Sequence, residues 1–426
     1  MNVIIAGGGI AGLSLALSLH QAGIGCRVFE QVGAIRPLGV GINVQPHAVR
    51  ELFELGLEAE IEAIGVRTRE VAYFSKRGGL IWSEPRGMLA GYNWPQFSVH
   101  RGKLQMMLFD EVVRRLGADA VVVGTAVTGF RETDGEVEVF LRSADGDTRT
   151  ETADLLVAAD GIHSAIRRQL FPVEGPPRWG GAVLWRGTTL ARPFLTGATM
   201  AMAGHEWQKF VTYPISAPDP ETGEQLVNWI GELKYEPGAG WNREDWNRRG
   251  DFADFLPAFE DWRFDWLDCP ALMRAGGDCY EYPMVDRDPL DRWTHGRVTL
   301  MGDAAHPMYP IGSNGASQAI MDARLLTRAF LDHGVGVDAL EAYEAERRPA
   351  TTRIVNANRG NGPDQVMQLV EERCGGEFSD ISQILSRTEL EETASAYKKI
   401  AGFDVETLNS RPPIVPAGRA EAKIRA

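Results

Sequence analysis

Residues 3–19 read VIIAGGGIAGLSLALSL, a short apolar run that leads through glycines into a second apolar run. The first run is typical of a buried strand, and the second has no helix breaker in its interior. Gly7, Gly9 and Gly12 have the G-x-G-x-x-G spacing. In this motif the first glycine permits a tight turn, the second lets a pyrophosphate approach, and the third lets the helix pack closely on the strand. Free N–H groups at the helix start would hold that pyrophosphate.

A second strand with an acid at its end follows the first helix. Gly23 ends the helix, and residues 26–30 read CRVFE. Glu30 therefore stands where a carboxylate is expected to hold ribose hydroxyls. The glycine motif alone is weak support, but in this strand–helix–strand context it predicts a dinucleotide site. The residues expected there are Gly7, Gly9, Ile10, Ala11, Gly12 and Glu30. The alternative is an ordinary βαβ unit of the core.

Composition limits the classes of function. The chain has 426 residues, enough for two domains with sizeable cores. Its 44 Lys and Arg against 58 Asp and Glu give a net charge of −14, which argues against nucleic acid or an anionic membrane as a partner. No apolar run approaches the ~20 residues that span a bilayer. Because the first strand begins at the second residue, we also expect no signal peptide.

The cysteine and histidine patterns predict neither a disulfide framework nor a metal site. The four cysteines are scattered and form no C-x-x-C pair, and the eight histidines show no metal-ligand spacing. We therefore expect neither a disulfide framework nor a metal site, and a reducing cytoplasm is the expected location. The oligomeric state is left open, with a homodimer as one alternative.

Two segments near the first helix are expected to contact the dinucleotide. Residues 35–43 read IRPLGVGIN, and their glycines, including Gly41, let the backbone lie against a flat group. An ordinary glycine-rich turn is the alternative. Arg101 stands at a strand-to-helix junction, where it can meet phosphate or ribose oxygens. A surface arginine would explain the residue equally well.

Two later strands also end in an aspartate next to a glycine. Residues 154–161 read DLLVAADG and deliver Asp160 to a helix start, and residues 298–303 read VTLMGD and end at Asp303. A helix is predicted from Ala316 to about Leu331. Its N-terminus, framed by Gly312 and Gly315, would stabilise a carbonyl that gains negative charge. A purely structural helix start is the alternative.

The middle of the chain has a different character. Eight of the eleven tryptophans lie in residues 179–266, in segments that alternate like strands. This pattern predicts an antiparallel sheet with one face over a site, although polar residues that merely face water are the alternative. Trp185, Tyr213 and Asn228 come from three neighbouring strands and are expected to line a substrate pocket. Alternation prevents Trp185 and Arg186 from facing the same side, and we choose Trp185 with Arg186 second.

The loop after the last strand is expected to complete that pocket with Tyr309 and Pro310. An aromatic ring needs a mostly apolar pocket with a few orienting groups. These two residues and the three strand residues are therefore the expected catalytic set.

The three motifs in this order resemble those of the flavoprotein aromatic hydroxylases, the family of p-hydroxybenzoate and salicylate hydroxylases. Within this family, residues 36–43, 82–87, 282–290 and 308–320 look most like the phenazine-modifying monooxygenases. The resemblance covers roughly residues 1–350. It implies that the first motif and Glu30 bind FAD, that Asp160 contacts FAD and the nicotinamide cofactor, and that Asp303 contacts the flavin ribityl chain.

The resemblance implies a monooxygenase reaction. NAD(P)H would reduce FAD, and a flavin C4a-hydroperoxide would then pass one oxygen atom of O2 to a small aromatic, phenazine-like substrate. Because no second G-x-G-x-x-G stands with its own strand and acid, NAD(P)H is expected to be a transient co-substrate. A flavin-dependent dehydrogenase or epoxidase of the same fold is the alternative. The W-x-W-x-I-P run of flavin halogenases is absent from this sequence. A non-enzymatic carrier of the same fold would have no use for an Asp303 that faces a flavin.

The resulting architecture is α/β, with a Rossmann-like FAD-binding domain, an inserted antiparallel sheet and C-terminal helices. Residues 1–177 are expected to form the FAD-binding domain, with a strand excursion near residues 71–97 that joins the substrate domain. Residues 178–272 would form the substrate sheet, and residues 273–350 the second part of the FAD-binding domain. Residues 351–426 would form a helical segment that becomes a flexible tail beyond about residue 405.

Overall fold

The computed structural model describes residues 2–37, 39–236, 248–360, 362–402 and 404–416. Its strands are β1 (Asn2–Ala6), β2 (Gly25–Phe29), β3 (Gly41–Val44), β4 (Gly65–Arg67), β5 (Glu70–Phe74), β6 (Leu80–Pro85), β7 (Phe97–His100), β8 (Val121–Val122), β9 (Thr125–Glu132), β10 (Val137–Ser143), β11 (Thr148–Ala153), β12 (Leu155–Ala158), β13 (Arg178–Ala191), β14 (Thr199–His205), β15 (Gln208–Pro214), β16 (Gln225–Lys234), β17 (Arg263–Phe264), β18 (Leu267–Asp268), β19 (Cys279–Asp286) and β20 (Val298–Leu300). Its helices are α1 (Ile10–Gln21), α2 (Pro46–Glu54), α3 (Glu58–Ile64), α4 (Arg101–Leu116), α5 (Ala165–Leu170), α6 (Phe252–Phe255), α7 (Cys269–Ala275), α8 (Gly315–His333), α9 (Val337–Asn358), α10 (Gln365–Cys374), α11 (Arg387–Ile400) and α12 (Val405–Ser410).

A parallel sheet carries the glycine motif. Its strand order is β20-β12-β1-β2-β8, and every pairing in it is parallel. The apolar side chains of β1 and β12 are inaccessible to solvent, since helices such as α1 cover this sheet. This burial explains why the two strands read as unbroken apolar runs rather than alternating ones. The β9–β11 meander lies beside this sheet.

The segments of a larger sheet are inserted, in chain order, between the strands of the parallel sheet. Its order is β19-β13-β16-β15-β14-β5-β6, and its pairings are antiparallel except for β14 with β5. The outer face packs on an aromatic cluster from the α6 region. The inner face packs partly against α10. The predicted α/β architecture, with an inserted antiparallel sheet and helices at the C-terminal end, is confirmed.

The C-terminal region is more ordered than its composition indicates. The expectation of a flexible tail from about residue 405 is wrong for residues 404–416, because Asp404 caps α12 by accepting the Thr407 N–H, and Ile414 and Val415 are buried. The rest of that expected tail, residues 417–426, lies outside the described residues, as does Leu38 of the glycine-rich loop. Within the part of the chain that the structure describes, no helix combines the length and apolar character needed to cross a bilayer.

Candidate functional site

One cavity joins the two sheets. It has a volume of about 330 Å³ and lies between the carboxyl ends of β1, β12 and β20 and the inner face of the large sheet. The carboxyl edge of a parallel α/β sheet is the usual place for a ligand. The motifs found in the sequence therefore converge on one space.

The glycine turn after β1 has the geometry that its spacing predicts. Gly7 has φ of 101°, and a Cβ atom there would lie 2.4 Å from the carbonyl oxygen of Ala159. A Cβ atom on Gly12 would lie 2.0 Å from the Gly7 carbonyl oxygen. Gly9, by contrast, faces the cavity with no neighbouring atom within 4 Å of its would-be Cβ. The turn thus brings bare backbone to the cavity, beside Ile10 and Ala11 of α1.

Glu30 braces this turn. Its Oε2 accepts the Gly8 N–H at 2.7 Å, and its Oε1 accepts the Val32 N–H at 2.9 Å. Each carboxylate oxygen keeps a further lone pair for a ligand hydroxyl. Glu30 itself lies behind the turn rather than on the cavity wall.

The two aspartates predicted from strand ends have different surroundings. Asp160 Oδ2 accepts the Ala165 N–H at 2.8 Å at the start of α5, and burial raises the pKa of its carboxyl. The neighbouring residues Ala159 and Gly161, rather than Asp160, line the cavity. Asp303 opens into the cavity and receives no hydrogen bond from any described residue. Desolvation by the surrounding protein raises the pKa of its carboxyl.

The loop that leads into β3 at Gly41, here called the β3 loop, is hydrogen-bonded to the large sheet. The Gly41 N–H donates to Asn228 Oδ1 at 2.7 Å, and Arg186 Nη2 donates to the Gly41 carbonyl at 2.8 Å. A Cβ atom on Gly41 would lie 2.6 Å from Cε2 of Tyr213, so only glycine fits between the loop and the sheet. Arg101, the first residue of α4, also lines the cavity and donates its N–H to the Val40 carbonyl at 2.9 Å.

The N-terminus of α8 points into the same space. Gly312 has φ of 71°, and the turn that follows brings Gly312, Gly315 and Ala316 to the cavity wall. The first N–H groups of a 19-residue helix are thereby aimed at the ligand space. They favour an anionic or negatively polarised group there.

Some of the predicted substrate residues line the cavity wall, and others are buried away from it. Tyr213, Tyr309 and Pro310 line the cavity. Asn228 is fully buried and holds Gly41 from behind. The choice of Trp185 is wrong: its side chain is fully buried on the outer face, with its ring 5.0 Å from Phe255.

Arg186, the second choice, lines the cavity instead. Strand alternation places Trp185 and Arg186 on opposite faces of β13, but it does not show which face is the inner one. The outer face is itself aromatic and buried, so hydrophobicity does not distinguish the two sides.

Several charged residues of the cavity were missed by sequence reasoning: Arg86, Lys209, Glu232, Asp364 and Lys398. Lys209 Nζ lies 2.7 Å from Asp364 Oδ2 and 3.4 Å from Glu232 Oε1. Lys209 and Glu232 stand two residues from Val211 and Ile230, so the period-2 pattern could have placed them on the same face. Asp364 and Lys398 come from the C-terminal region, and no local signal marks them.

The residues present fit FAD. The glycine turn and the α8 N-terminus offer open backbone N–H groups, Arg101 offers a positive charge, and Asp303 offers an acceptor without a protein partner. A metal site finds no comparable support, since the described residues contain no group of three or more His, Cys, Asp or Glu that could hold an ion.

Comparison with known proteins agrees with this fit. The FAD binding domain family matches residues 1–184 and 283–358. The phenazine 1,6-dicarboxylic acid hydroxylase PhzS of Lysobacter antibioticus is 46% identical over 362 residues, which cover 84% of this chain and 89% of the relative. The aurachin C monooxygenase/isomerase of Stigmatella aurantiaca is 34% identical over 357 residues, 82% of this chain and 85% of that protein.

A solved structure extends the likeness to the whole fold. The structure of Klebsiella pneumoniae HpxO complexed with FAD and uric acid superimposes with a TM-score of 0.72 at 25% identity, and 97% of each chain is covered. The predicted family resemblance and the predicted cofactor are confirmed. The chain belongs to the FAD-binding family of class A flavoprotein aromatic hydroxylases.

Proposed function

We propose that this hydroxylase adds one oxygen atom of O2 to a flat, fused-ring aromatic compound of the phenazine type. The observation that carries the proposal is the single cavity in which the FAD motifs meet the apolar inner face of the large sheet. Leu184, Met200, Val211 and Ile230 are among the apolar residues of that face. The 46% identity to a phenazine 1,6-dicarboxylic acid hydroxylase supports the ring system.

Bound FAD supplies the uptake of electrons from NAD(P)H and the activation of O2. The chain supplies orientation and electrostatics. Arg101 and the α8 N-terminus would stabilise negative charge on the cofactor, and Asp303 would accept a hydrogen bond from a ribityl hydroxyl. The apolar sheet face would exclude water from the reacting ring.

The proposed cofactor contacts are Gly7, Gly9, Ile10, Ala11, Gly12, Glu30, Gly41, Arg101, Asp160, Asp303, Gly312, Gly315 and Ala316. For the substrate we propose Tyr213, Tyr309 and Pro310 on the cavity wall, with Asn228 acting through Gly41. Arg186 takes the place that sequence reasoning gave to Trp185.

The division into an FAD-binding domain of residues 1–177 and 273–350 around a substrate sheet of residues 178–272 belongs to the same proposal. A cytoplasmic location is supported by the four cysteines, which are free thiols. A homodimer stays a prediction. Light scattering of the purified protein, which measures its molecular mass in solution, tests it.

The test is a panel of one-, two- and three-ring aromatic compounds. For each compound, NAD(P)H consumption, O2 uptake and product mass are recorded. We expect a fused-ring compound to give stoichiometric O2 uptake and a product heavier by one oxygen atom. Electron transfer without oxygen incorporation would instead support the dehydrogenase alternative, and an oxygen-containing product without an added hydroxyl would support the epoxidase.

A further inference from the structure

A second cavity lies outside the one assigned to FAD and substrate. It has a volume of about 370 Å³, and no described residue lines both cavities. Its walls come from α2, α8 and α9, from the end of α11 and from the segment after α12. A cavity of this size can hold a small organic ligand.

The charge of this second cavity is opposite to that of the whole chain. Among the described residues that line it, five are basic and one, Glu346, is acidic. The protein as a whole has a net charge of −14. The five basic residues are Arg328, Arg347, Arg353, Lys399 and Arg411. Because a concave site lined by one sign of charge concentrates counter-ions, the cavity is suited to an anion.

Two of these five cations are balanced by acids of the protein. Arg328 pairs with Glu346 across α8 and α9. Arg347 Nε lies 2.6 Å from Asp322 Oδ1, and its Nη2 donates to Gln318 Oε1 at 2.7 Å. These two arginines are therefore held by protein groups and create no demand for an anionic ligand.

The other three cations have no such partner. In the part of the chain that the structure describes, no Asp or Glu forms an ion pair with Arg353, Lys399 or Arg411. Asp404 interacts electrostatically with Arg411 without pairing with it. Arg353 belongs to α9, Lys399 to the last turn of α11, and Arg411 follows α12. Three unbalanced cations from three separate elements thus meet at one cavity.

A buried histidine on the wall reports the positive potential of this cavity. Burial, together with the charges of Arg347 and Arg411, lowers the pKa of His47 to about 3. His47 is therefore neutral at physiological pH. An anion in the cavity would meet the cations without competition from a titrating group on this wall.

The same cavity also has an apolar side. Met321 and Leu325, one turn apart on α8, and Ile354 of α9 all line it. Ile400, at the end of α11, lines it too and keeps 40% of its surface exposed. A ligand that covers this isoleucine would remove apolar surface from water, which is favourable. The cavity thus offers cations to an anionic group and apolar side chains to an organic one.

We propose that this second cavity binds an organic phosphate, with the phosphoryl group at Arg353, Lys399 and Arg411 and the organic part against Ile354 and Ile400. Arginine and lysine are well suited to phosphate oxygens. A phosphoryl group carries about 1.5–2 negative charges at neutral pH, so it balances three cations more fully than one carboxylate would. The inference goes beyond the proposed function, because it concerns a separate site and holds whichever aromatic ring is hydroxylated.

The test measures binding to the FAD-loaded protein by isothermal titration calorimetry. The salt concentration is kept at about 50 mM, where exposed charges are weakly screened. The probes are AMP and hexyl phosphate, with adenosine and hexanol as their uncharged counterparts and inorganic phosphate as the bare anion. Bound FAD keeps AMP out of the dinucleotide site. We expect both organic phosphates to bind about tenfold more tightly than either the uncharged counterparts or inorganic phosphate.

Variants of the cavity wall assign the binding to this site. Arg353→Gln and Arg411→Gln should each weaken both organic phosphates about tenfold, since each removes a charge-assisted contact. Ile400→Ala should weaken the organic phosphates about threefold and leave inorganic phosphate unchanged. Arg142→Gln is the matched control and should bind as the wild type does, because Arg142 is exposed on β10 and also lacks an ion pair among the described residues.

Equal binding of AMP and hexyl phosphate to the wild type and to the combined Arg353→Gln/Arg411→Gln variant would overturn the proposal, since the probes would then bind elsewhere. So would the absence of binding at millimolar concentration, or uncharged counterparts that bind as tightly as the phosphates. Inorganic phosphate that binds as tightly as both organic phosphates, with no effect of Ile400→Ala, would reject the organic part of the ligand. Because none of these measurements depends on hydroxylation, failure of the proposed function would be seen separately.

Discussion

Asp322 Oδ2 accepts a hydrogen bond from the Gly302 N–H at 3.0 Å, so a buried carboxylate on α8 holds the turn that presents Asp303 to the cavity. The same oxygen lies 2.6 Å from His306 Nε2, and Oδ1 accepts from Arg347 Nε at 2.6 Å. Burial alone would raise the pKa of the Asp322 carboxyl, but His306 and Arg347 outweigh it and lower the pKa to about 2. The position of Asp303 thus depends on an ion cluster outside the cavity wall.

The first prediction concerns stability against pH. Because the pKa of Asp322 is lower in the folded protein than in the unfolded chain, its contribution is complete above about pH 4 and is lost as the pH falls towards about 2. Asp322→Asn should destabilise the protein by roughly 3 kcal/mol at neutral pH, since it breaks a buried charge cluster. Urea unfolding from pH 7 to 3 should show a shallower loss of stability in this variant. An unchanged pH profile, matching that of the exposed-turn control Asp145→Asn, would contradict the prediction.

The second prediction concerns Asp303. If its free carboxylate accepts a ribityl hydroxyl, Asp303→Ala should lower FAD affinity by about 1.5–3 kcal/mol, or roughly one to two decades in the dissociation constant. Flavin content after extensive dialysis measures the effect, and circular dichroism checks the fold. Asp291→Asn, a change at an exposed residue, should retain all of its flavin. Wild-type flavin content in Asp303→Ala would refute this contact.

The third prediction concerns the fit between the β3 loop and the large sheet. In Gly41→Ala the new Cβ would lie 2.6 Å from Tyr213 Cε2 and 2.7 Å from Asn228 Cβ, so the loop must move away from the sheet. We expect lower FAD affinity together with weaker substrate binding, since both ligands meet at this loop. Gly336→Ala serves as the control because its Cβ meets no atom within 4 Å. A Gly41→Ala protein that binds both ligands normally would show that the loop does not join the two sites.

The fourth prediction separates the two faces of the large sheet. Trp185→Ala removes a ring from the outer aromatic cluster and should cost about 3–5 kcal/mol of stability, read from the thermal midpoint. Tyr213→Phe should leave FAD bound and flavin reduction largely intact. It should increase the share of O2 released as hydrogen peroxide, because the ring is held less well. A coupling defect in Trp185→Ala at full stability, with none in Tyr213→Phe, would reverse this assignment.

Local sequence was sufficient for the parts of the site that depend on neighbouring residues. The Gly7 turn, the Asp303 strand end and the α8 start each combine a backbone requirement with an adjacent element, so spacing alone revealed them. Local sequence does not show which face of the large sheet lines the cavity. Trp185 and Leu184 lie on opposite faces of β13, but both are apolar and both are buried. The contact of Lys209 with Asp364 joins residues 155 positions apart and leaves no periodic trace.

The position of β1 has a consequence for the order in which the protein can assemble on the ribosome. This strand precedes all the other described strands in the chain, yet it lies between β2 and β12, and β20 completes the sheet beyond β12. The parallel pairing therefore cannot finish until residue 300 has emerged, after all strands of the large sheet have been made. We expect the nascent chain to expose the edge of β1 until β12 is made at residue 158, and the edge of β12 until β20 is made at residue 300. Both early chaperone contact and late acquisition of flavin follow from this strand order.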